Sequence, residues 1–517
     1  MRWADRGPTG ATLALAATVL ALVTGCMVGP NYVRPPVITP DGYKEGAGWK
    51  VARPQDAAAR GAWWEVFGDP QLSALEAQVD VSNQNLAVAE AQFRQARALV
   101  REARAAYFPT ATLGVGVTHS RSSSTIGLLS GGNVASAPRT DFTLPLAVSW
   151  EPDFWGRIRR SVESSQASAQ ASAADLETIR LSFQAELAQD YFELQTLDAQ
   201  RQRLDASAAA FAKSLELTRN RYAGGVASRA DVAQAETQLK TTQAQAIDLG
   251  VQRAQREHAI AILVGQAPAS FSLPAAPLAA TPPSIPVGVP SELLERRPDI
   301  AAAERRAAAA NAQIGVAEAA YFPIVTLSAS GGLESSSASQ WFTWPSRFWS
   351  VGPSISEIVF DGGLRQAQTD QARAAYDASV ATYRQTVLAA FQGVEDNLAA
   401  LRILEDEARV QDEAVKAAQQ SEALTTNQYK AGIVSYLNVI TTQTIRLTDE
   451  VTAVQILGRR MTAAVLLIQA LGGGWSASRL PAAEELRARM DGRSPSTEEG
   501  RPPQAEQTGA PELGPRR

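Results

Sequence analysis

One residue in this chain offers covalent chemistry in an interpretable setting: Cys26, the single cysteine in 517 residues. It closes the run Leu22-Val-Thr-Gly-Cys26, which follows Arg2, Arg6 and an uncharged apolar stretch from Ala11 to Val23. A basic start, a short apolar run and small residues before a cut make a secretory signal. The run falls short of the roughly 20 residues that cross a bilayer. With cysteine directly after the small residues, the pattern is that of a bacterial lipoprotein signal. Residues 1–25 are expected to be removed and the Cys26 thiol to carry lipid, leaving no disulfide framework.

The remaining candidates for chemistry are weak. His119 lies in an alternating segment and His258 in a helical one, far from clustered carboxylates. Both read as solvated or packed side chains rather than metal ligands. No nucleophile–base pair or metal constellation is visible, so the expectation is a non-enzyme with no metal and no cofactor beyond the lipid on Cys26. The composition is globular, 45% hydrophobic and 20% charged with net charge −5. Mild acidity without basic blocks argues against nucleic acid. After the signal no apolar stretch of membrane-spanning length is apparent, so a spanning part would have to be built from strands.

Two glycine turns stand out instead. Tyr222-Ala-Gly-Gly225 precedes Ser228-Arg-Ala-Asp231, and Tyr429-Lys-Ala-Gly432 precedes Ser435-Tyr-Leu-Asn438. Glycine suits the left-handed position that ends a helix. Ser228 and Asp231 have capping-box spacing for the next helix. Asn438 stands where such a box wants an acid, so the second cap should be weaker.

These turns lie at matching places in a chain written twice. Ala105-Ala-Tyr-Phe-Pro109 recurs as Ala319-Ala-Tyr-Phe-Pro323. Phe154-Trp-Gly-Arg-Ile-Arg159 matches Phe360-Asp-Gly-Gly-Leu-Arg365, and both halves close on a helix ending at Val264-Gly265 or Leu471-Gly472. Landmarks repeated in one order at nearly one offset mark a tandem duplication. The expected organisation is a signal at 1–25, an extended arm at 26–70 and a first repeat at 71–265. A connector at 266–298, with eight prolines from Pro268 to Pro298, should be extended and partly polyproline rather than helical, and leads to a second repeat at 299–475 and a disordered tail at 476–517.

Each repeat reads as helix, two strands, very long helix, tight turn and long helix. A first helix is predicted from about Gln71 to Ala106, its counterpart from Pro298, whose fixed φ suits a first turn. Leu113, Val115 and Val117 then alternate with small or polar residues, as do Phe142, Leu144, Leu146, Val148 and Trp150, and Trp349, Val351, Pro353 and Ile355. Strict alternation marks strands with one apolar and one wet face. From Arg157 to Tyr222 there is no proline or glycine, and from Leu364 to Lys430 only Gly393. Helices of that size are about 100 Å long. Leu187, Tyr191 and Leu194 in the first, and Val387, Phe391 and Val394 in the second, have coiled-coil spacing.

Four strands cannot close a barrel, and each unpaired backbone group in lipid costs several kcal/mol. The chain must therefore contribute to a shared barrel. Two copies give eight strands with a filled interior, and three give twelve with room for a lumen. The glycines and small polar groups on the strands favour the wet lumen, hence three copies. Their hairpins would surround one axis as a hollow cylinder.

This plan resembles the TolC-like outer-membrane factors, and its details resemble the OprM/NodT branch of efflux lipoproteins. The matching residues are Trp63-Trp64, Phe67, Asp69-Pro70 and Leu72; Leu293-Leu-Glu-Arg-Arg-Pro-Asp-Ile300 with Ala303-Glu304; Ala308, Ala309, Asn311, Ile314 and Gly315; and Tyr321-Phe-Pro323. The resemblance spans about residues 20–475. It implies a mostly α fold with a membrane β-barrel: a homotrimer forming a twelve-stranded barrel in the outer membrane and an α-helical coiled-coil periplasmic tunnel. It also implies passive export of drugs or small toxic compounds, with a periplasmic adaptor (membrane fusion protein) and an inner-membrane pump of the resistance–nodulation–division type as partners.

The resemblance assigns the tips a gate. Leu437 is similar to the residue whose three copies form an apolar constriction, although a coiled-coil core leucine has the same signature. Tyr429 and Asp231 resemble a hydrogen-bonded pair that holds the closed tip, while Asp231 also fits simple helix capping. Asn438 and Thr441 stand where many members carry acids, so a carboxylate ring and cation preference should be weaker here. Gly225, Val226, Ser228, Gly432, Ile433 and Ser435 suit tip-to-tip docking of an adaptor, and equally suit tight turns. Competing readings are the exit duct of a type I protein secretion system and a periplasmic coiled-coil scaffold or adaptor lipoprotein.

Overall fold

The computed structural model describes residues 27–46, 62–121, 138–278, 280–285 and 290–487. Cys26, the signal, most of the polar loop after Arg121 and the tail beyond 487 lie outside the described residues.

The duplication is plain in the helices. The first repeat runs α1 (Pro70–Ser82), α2 (Gln84–Ala105), β1 (Thr110–Leu113), β2 (Gly116–Ser120), β3 (Arg139–Trp150), α3 (Arg157–Ala223) and α4 (Arg229–Leu263). The second runs α5 (Pro298–Ala319), β4 (Ile324–Ser335), β5 (Arg347–Ser356), α6 (Leu364–Lys430) and α7 (Tyr436–Ala470). Helices α3 and α6 have 67 residues each, and α4 and α7 have 35 each. Their starts, Arg157 and Leu364, Arg229 and Tyr436, are both 207 positions apart.

The single first helix read from sequence is two helices, broken at Asn83. Its backbone is extended there, and its Oδ1 accepts from the N–H groups of Asn85 and Leu86 at 2.9 and 3.0 Å. Its Nδ2 donates to the Leu263 carbonyl at 2.9 Å, which ties the break to the end of α4. An asparagine that caps one helix necessarily ends the one before it.

The strands form one antiparallel sheet in the order β1/β2–β3–β4–β5. Registers such as Leu113↔Leu146↔Gly331↔Trp349 and Ala111↔Val148↔Ala329↔Val351 put the apolar residues on one face. Thr112↔Ala147↔Ser330↔Ser350 and Thr143↔Glu334 lie on the other. β1 and β2 are one strand interrupted opposite Pro145. Gly114 N–H still donates to the Pro145 carbonyl at 2.9 Å, but proline has no N–H to return. Aromatic rings mark both ends of the strands: Trp155 stacks on Phe322 at 4.8 Å below, and Phe142 meets Trp341 at 5.4 Å above. Strands of about ten residues with aromatic ends are those of a membrane barrel.

The helices bury the predicted stripes. Leu187, Tyr191 and Leu194 of α3 and Val387, Val394 and Leu398 of α6 all lie in one core, which also holds Trp63, Leu72 and Ile300. A separate cluster joins the hairpin ends through Phe211, Leu215, Leu239, Tyr436 and Val439. Three expectations need correction. The connector contains a helical turn, Leu293–Arg296, and it buries Leu273, Leu278 and Ile285 in the main core. The start of the expected disordered tail is folded: Ala483–Arg487 is helical, with Leu486 buried against Val100 and Ala169. Finally, α7 is long and apolar enough to cross a membrane by composition. Its apolar face instead packs in the hairpin cores, where Val439, Met461 and Val465 are buried.

Candidate functional site: the hairpin tips

Each hairpin turns through a glycine that the backbone requires. Gly225 has φ +74° and Gly432 φ +79°, values L side chains rarely adopt. In the first tip, Gly225 N–H donates to Tyr222 O at 2.9 Å and Val226 N–H to Arg221 O at 2.8 Å. In the second, Gly432 N–H donates to Tyr429 O at 3.0 Å and Ile433 N–H to Gln428 O at 2.9 Å. Val226 and Ile433, equivalent in the repeats, are both exposed.

The caps differ as the side chains dictate. Asp231 Oδ2 accepts from the Ser228 N–H and hydroxyl at 2.9 Å each, and Ser228 Oγ accepts from Asp231 N–H at 3.1 Å. Ser435 makes no side-chain cap bond, and Asn438 is bonded to it only through its backbone N–H, at 3.2 Å.

Within the chain the expected Tyr429–Asp231 bond is not made, because Asp231 is engaged in its own cap. Tyr429 is buried with its hydroxyl unpartnered among the described residues. Its ring lies 5.4 Å from that of Tyr436 and under Arg221, which also donates to its carbonyl at 3.2 Å. Tyr436 shares a 3.1 Å hydrogen bond with Ser214, and burial raises its pKa. Arg221 and Tyr436 escaped the sequence reading because their counterparts, Gln428 and Arg229, are unlike them, so the repeat comparison gave no signal.

Leu437 is 55% exposed, which rules out a core position within the chain. Asn438 and Thr441 are exposed beside it on the same side of α7, and Thr441 Oγ1 donates to Leu437 O at 2.9 Å. His119 Nδ1 sits 2.9 Å from Thr140 Oγ1, and His258 is exposed. Among the described residues no group of three His, Cys, Asp or Glu could hold a metal ion.

The motif residues of the second repeat lie elsewhere, along the N-terminal arm. Glu304 accepts from the Tyr32 hydroxyl at 2.7 Å, and Asn311 donates to Pro30 O at 2.9 Å. Arg297 pairs with Asp299 at 2.7 Å and donates to Ala470 O at 2.7 Å.

A sheet with an apolar face and two edges unpaired among the described residues, carried on paired hairpins of about 100 Å, defines a membrane channel protein whose barrel needs further strands. The model of the family "Outer membrane efflux protein" matches residues 75–266 and 289–473, and the chain belongs to that family. It is 31% identical over 467 residues to the pyoverdine export outer membrane protein OpmQ of Pseudomonas aeruginosa, covering 89% of this chain and 98% of that protein. It is likewise 31% identical over 470 residues to the toluene efflux pump outer membrane protein TtgC of Pseudomonas putida, covering 90% and 96%. The solved outer-membrane channel OprN aligns with TM-score 0.81 at 31% identity, over 87% of this chain and 100% of that one. The open state of the Neisseria gonorrhoeae MtrE channel aligns with TM-score 0.77 at 28% identity, over 87% and 99%. The chain is an outer-membrane efflux channel of the TolC-like fold, with its sheet in the outer membrane and its hairpins in the periplasm.

Proposed function

We propose that three copies close into a lipid-anchored duct, the passive exit of a tripartite pump for drugs or small toxic compounds. An inner-membrane pump of the resistance–nodulation–division type loads the duct, and a periplasmic adaptor docks on tips built from Gly225, Val226, Ser228, Gly432, Ile433 and Ser435. The observation that carries this reading is the sheet with free edges at β1/β2 and β5. Such edges are tolerable in lipid only when another copy pairs with them. The names of OpmQ and TtgC support small-molecule cargo. At the tip, Leu437 narrows the axis as an apolar ring that excludes hydrated ions. Asn438 and Thr441 give a neutral rim with weak cation preference, while Tyr429 and Asp231 hold the helix ends that must part.

Lipidation of Cys26 fits the arm, since Met27 packs on Gly156 at the sheet's rim and Val28 N–H donates to Trp155 O at 3.1 Å. Light scattering of the detergent-solubilised protein should give a trimer with heat-modifiable migration, and planar bilayers should show discrete conductance steps. A stable monomer that conducts nothing refutes the duct. Cys26→Ser should abolish incorporation of a palmitate analogue, and persistent labelling refutes the anchor.

A further inference from the structure

A buried arginine holds the residues just after Cys26. Arg160, in the first turn of α3, is 1% exposed. Its Nε donates to Val28 O at 3.1 Å, and its Nη2 donates to Gly29 O and Asn31 Oδ1 at 3.0 Å each. Its Nη1 donates to Glu163 at 2.8 Å. Four of the five guanidinium N–H groups are thus used, three of them on the arm.

The packing around this clamp admits no side chain larger than hydrogen at two places. A Cβ on Gly315 of α5 would come 2.8 Å from Arg160 Cγ. A Cβ on Gly29, whose φ is +90°, would come 2.3 Å from Gly315 Cα. The arm and a helix of the second repeat are therefore stacked backbone to backbone, and the buried Arg160 side chain of a first-repeat helix packs against both. Just beyond, Trp155 stacks on Phe322 at 4.8 Å and donates to Pro323 O at 2.8 Å, at the point where β4 begins.

We propose that Arg160 is a positioning residue for membrane insertion: it fixes the arm so that the acyl chains on Cys26 enter the bilayer at the Trp155–Phe322 rim of the sheet. The proposal rests on the lipidation of Cys26 read above. The first clamped carbonyl, that of Val28, is two positions on from Cys26, a reach of at most about 7 Å. A free arm of some twenty residues would range over roughly 25 Å and leave the depth of the sheet unspecified. A guanidinium fork, unlike an ammonium, can bind two successive carbonyls and a side-chain amide in one fixed geometry.

The test uses the full chain with its signal, as wild type, Arg160→Met, Arg160→Lys, Gly29→Ala and Cys26→Ser. The readouts are acyl labelling, amide exchange over residues 28–34, melting of the detergent-solubilised trimer, and the heat-modifiable fraction in outer membranes. Gly29→Ala sets the new methyl against the α5 backbone at Gly315, and because the arm lies outside the two helical hairpins it can yield by moving off; the melting measurement shows whether the helical body is disturbed as well. Arg160→Met and Gly29→Ala should keep the acyl label and the melting temperature, speed exchange of the arm about tenfold or more, and cut membrane insertion several-fold toward the Cys26→Ser level. Arg160→Lys should recover only part of the loss. Unchanged exchange or insertion in Gly29→Ala overturns the proposal, as does a loss of insertion in Arg160→Met that merely follows a fall in melting temperature. An unlabelled wild type would refute the lipid reading itself, whereas a labelled wild type with indifferent variants would refute the positioning role alone.

Discussion

Arg221 holds its guanidinium carbon 4.6 Å from the ring centroid of Tyr429 and donates to that residue's carbonyl at 3.2 Å, joining the last turns of α3 and α6. This is a direct bond between the two repeats close to their tips. A cation over an aromatic face contributes about 0.5–2 kcal/mol, and a hydrogen bond from a charged donor about 1.5–3 kcal/mol. Three copies acting together would hold a closed aperture against thermal opening. Arg221→Met should therefore raise single-channel conductance in planar bilayers. Tyr429→Phe, which removes only a hydroxyl unpartnered among the described residues, should leave conductance near wild type. A rise in Tyr429→Phe alone would place that hydroxyl's partner on a neighbouring copy, and an unchanged Arg221→Met would remove the joint from the gate.

Leu437 separates stability from gating. At 55% exposure it buries little surface in the chain, so truncation should cost the helical body within about 0.5 kcal/mol. If three copies meet on the axis, Leu437→Ala widens the aperture, and Leu437→Asp also wets it. Conductance should rise in both variants, more in the second, with melting of the helical body unchanged. Equal conductance in wild type and Leu437→Asp would exclude Leu437 as the constriction.

The two caps predict unequal responses to the same change. Ser228→Ala breaks a complete box and should cost about 1 kcal/mol of tip stability. Ser435→Ala removes a side chain that caps nothing and should be close to neutral. Limited proteolysis, with Arg229 near the first tip and Lys430 near the second as tryptic sites, would compare the two directly. Faster cleavage after Ser435→Ala than after Ser228→Ala would contradict the assigned bonds.

Much of this architecture was legible in the residues. Proline-free and nearly glycine-free stretches set the bounds of α3 and α6 to within a residue, and strict alternation identified the sheet face by face. The misses are also local. At Asn83 no glycine or proline announces a break, because an asparagine side chain ends one helix by capping the next. Leu486 is a single apolar residue in a polar segment, and only its burial against α2 and α3 folds it. Within the chain the Asp231 carboxylate is taken by the neighbouring Ser228 rather than by Tyr429, a choice between two donors that the residue types alone do not make. The arm's contacts were hidden altogether, since Arg160 and Gly315 lie 155 positions apart and meet only across the two repeats.

Glu76 supplies a pH dependence with a definite sign. It is 0% exposed in α1, and neither carboxyl oxygen has a partner among the described residues. Burial, with a smaller contribution from Asp80, raises its pKa to about 9. The folded chain therefore keeps a proton that the unfolded chain releases near its ordinary value of 4.5. The stability this proton confers is complete below about pH 4.5 and is lost progressively as pH rises toward about 9, at about 1.4 kcal/mol per pH unit for one proton. The detergent-solubilised protein should melt lower at pH 8.5 than at pH 6. Glu76→Gln, which cannot release a proton, should flatten that slope and raise the melting temperature at the higher pH. Parallel curves for the two proteins would show that Glu76 gains a counter-charge or solvent in the assembled channel.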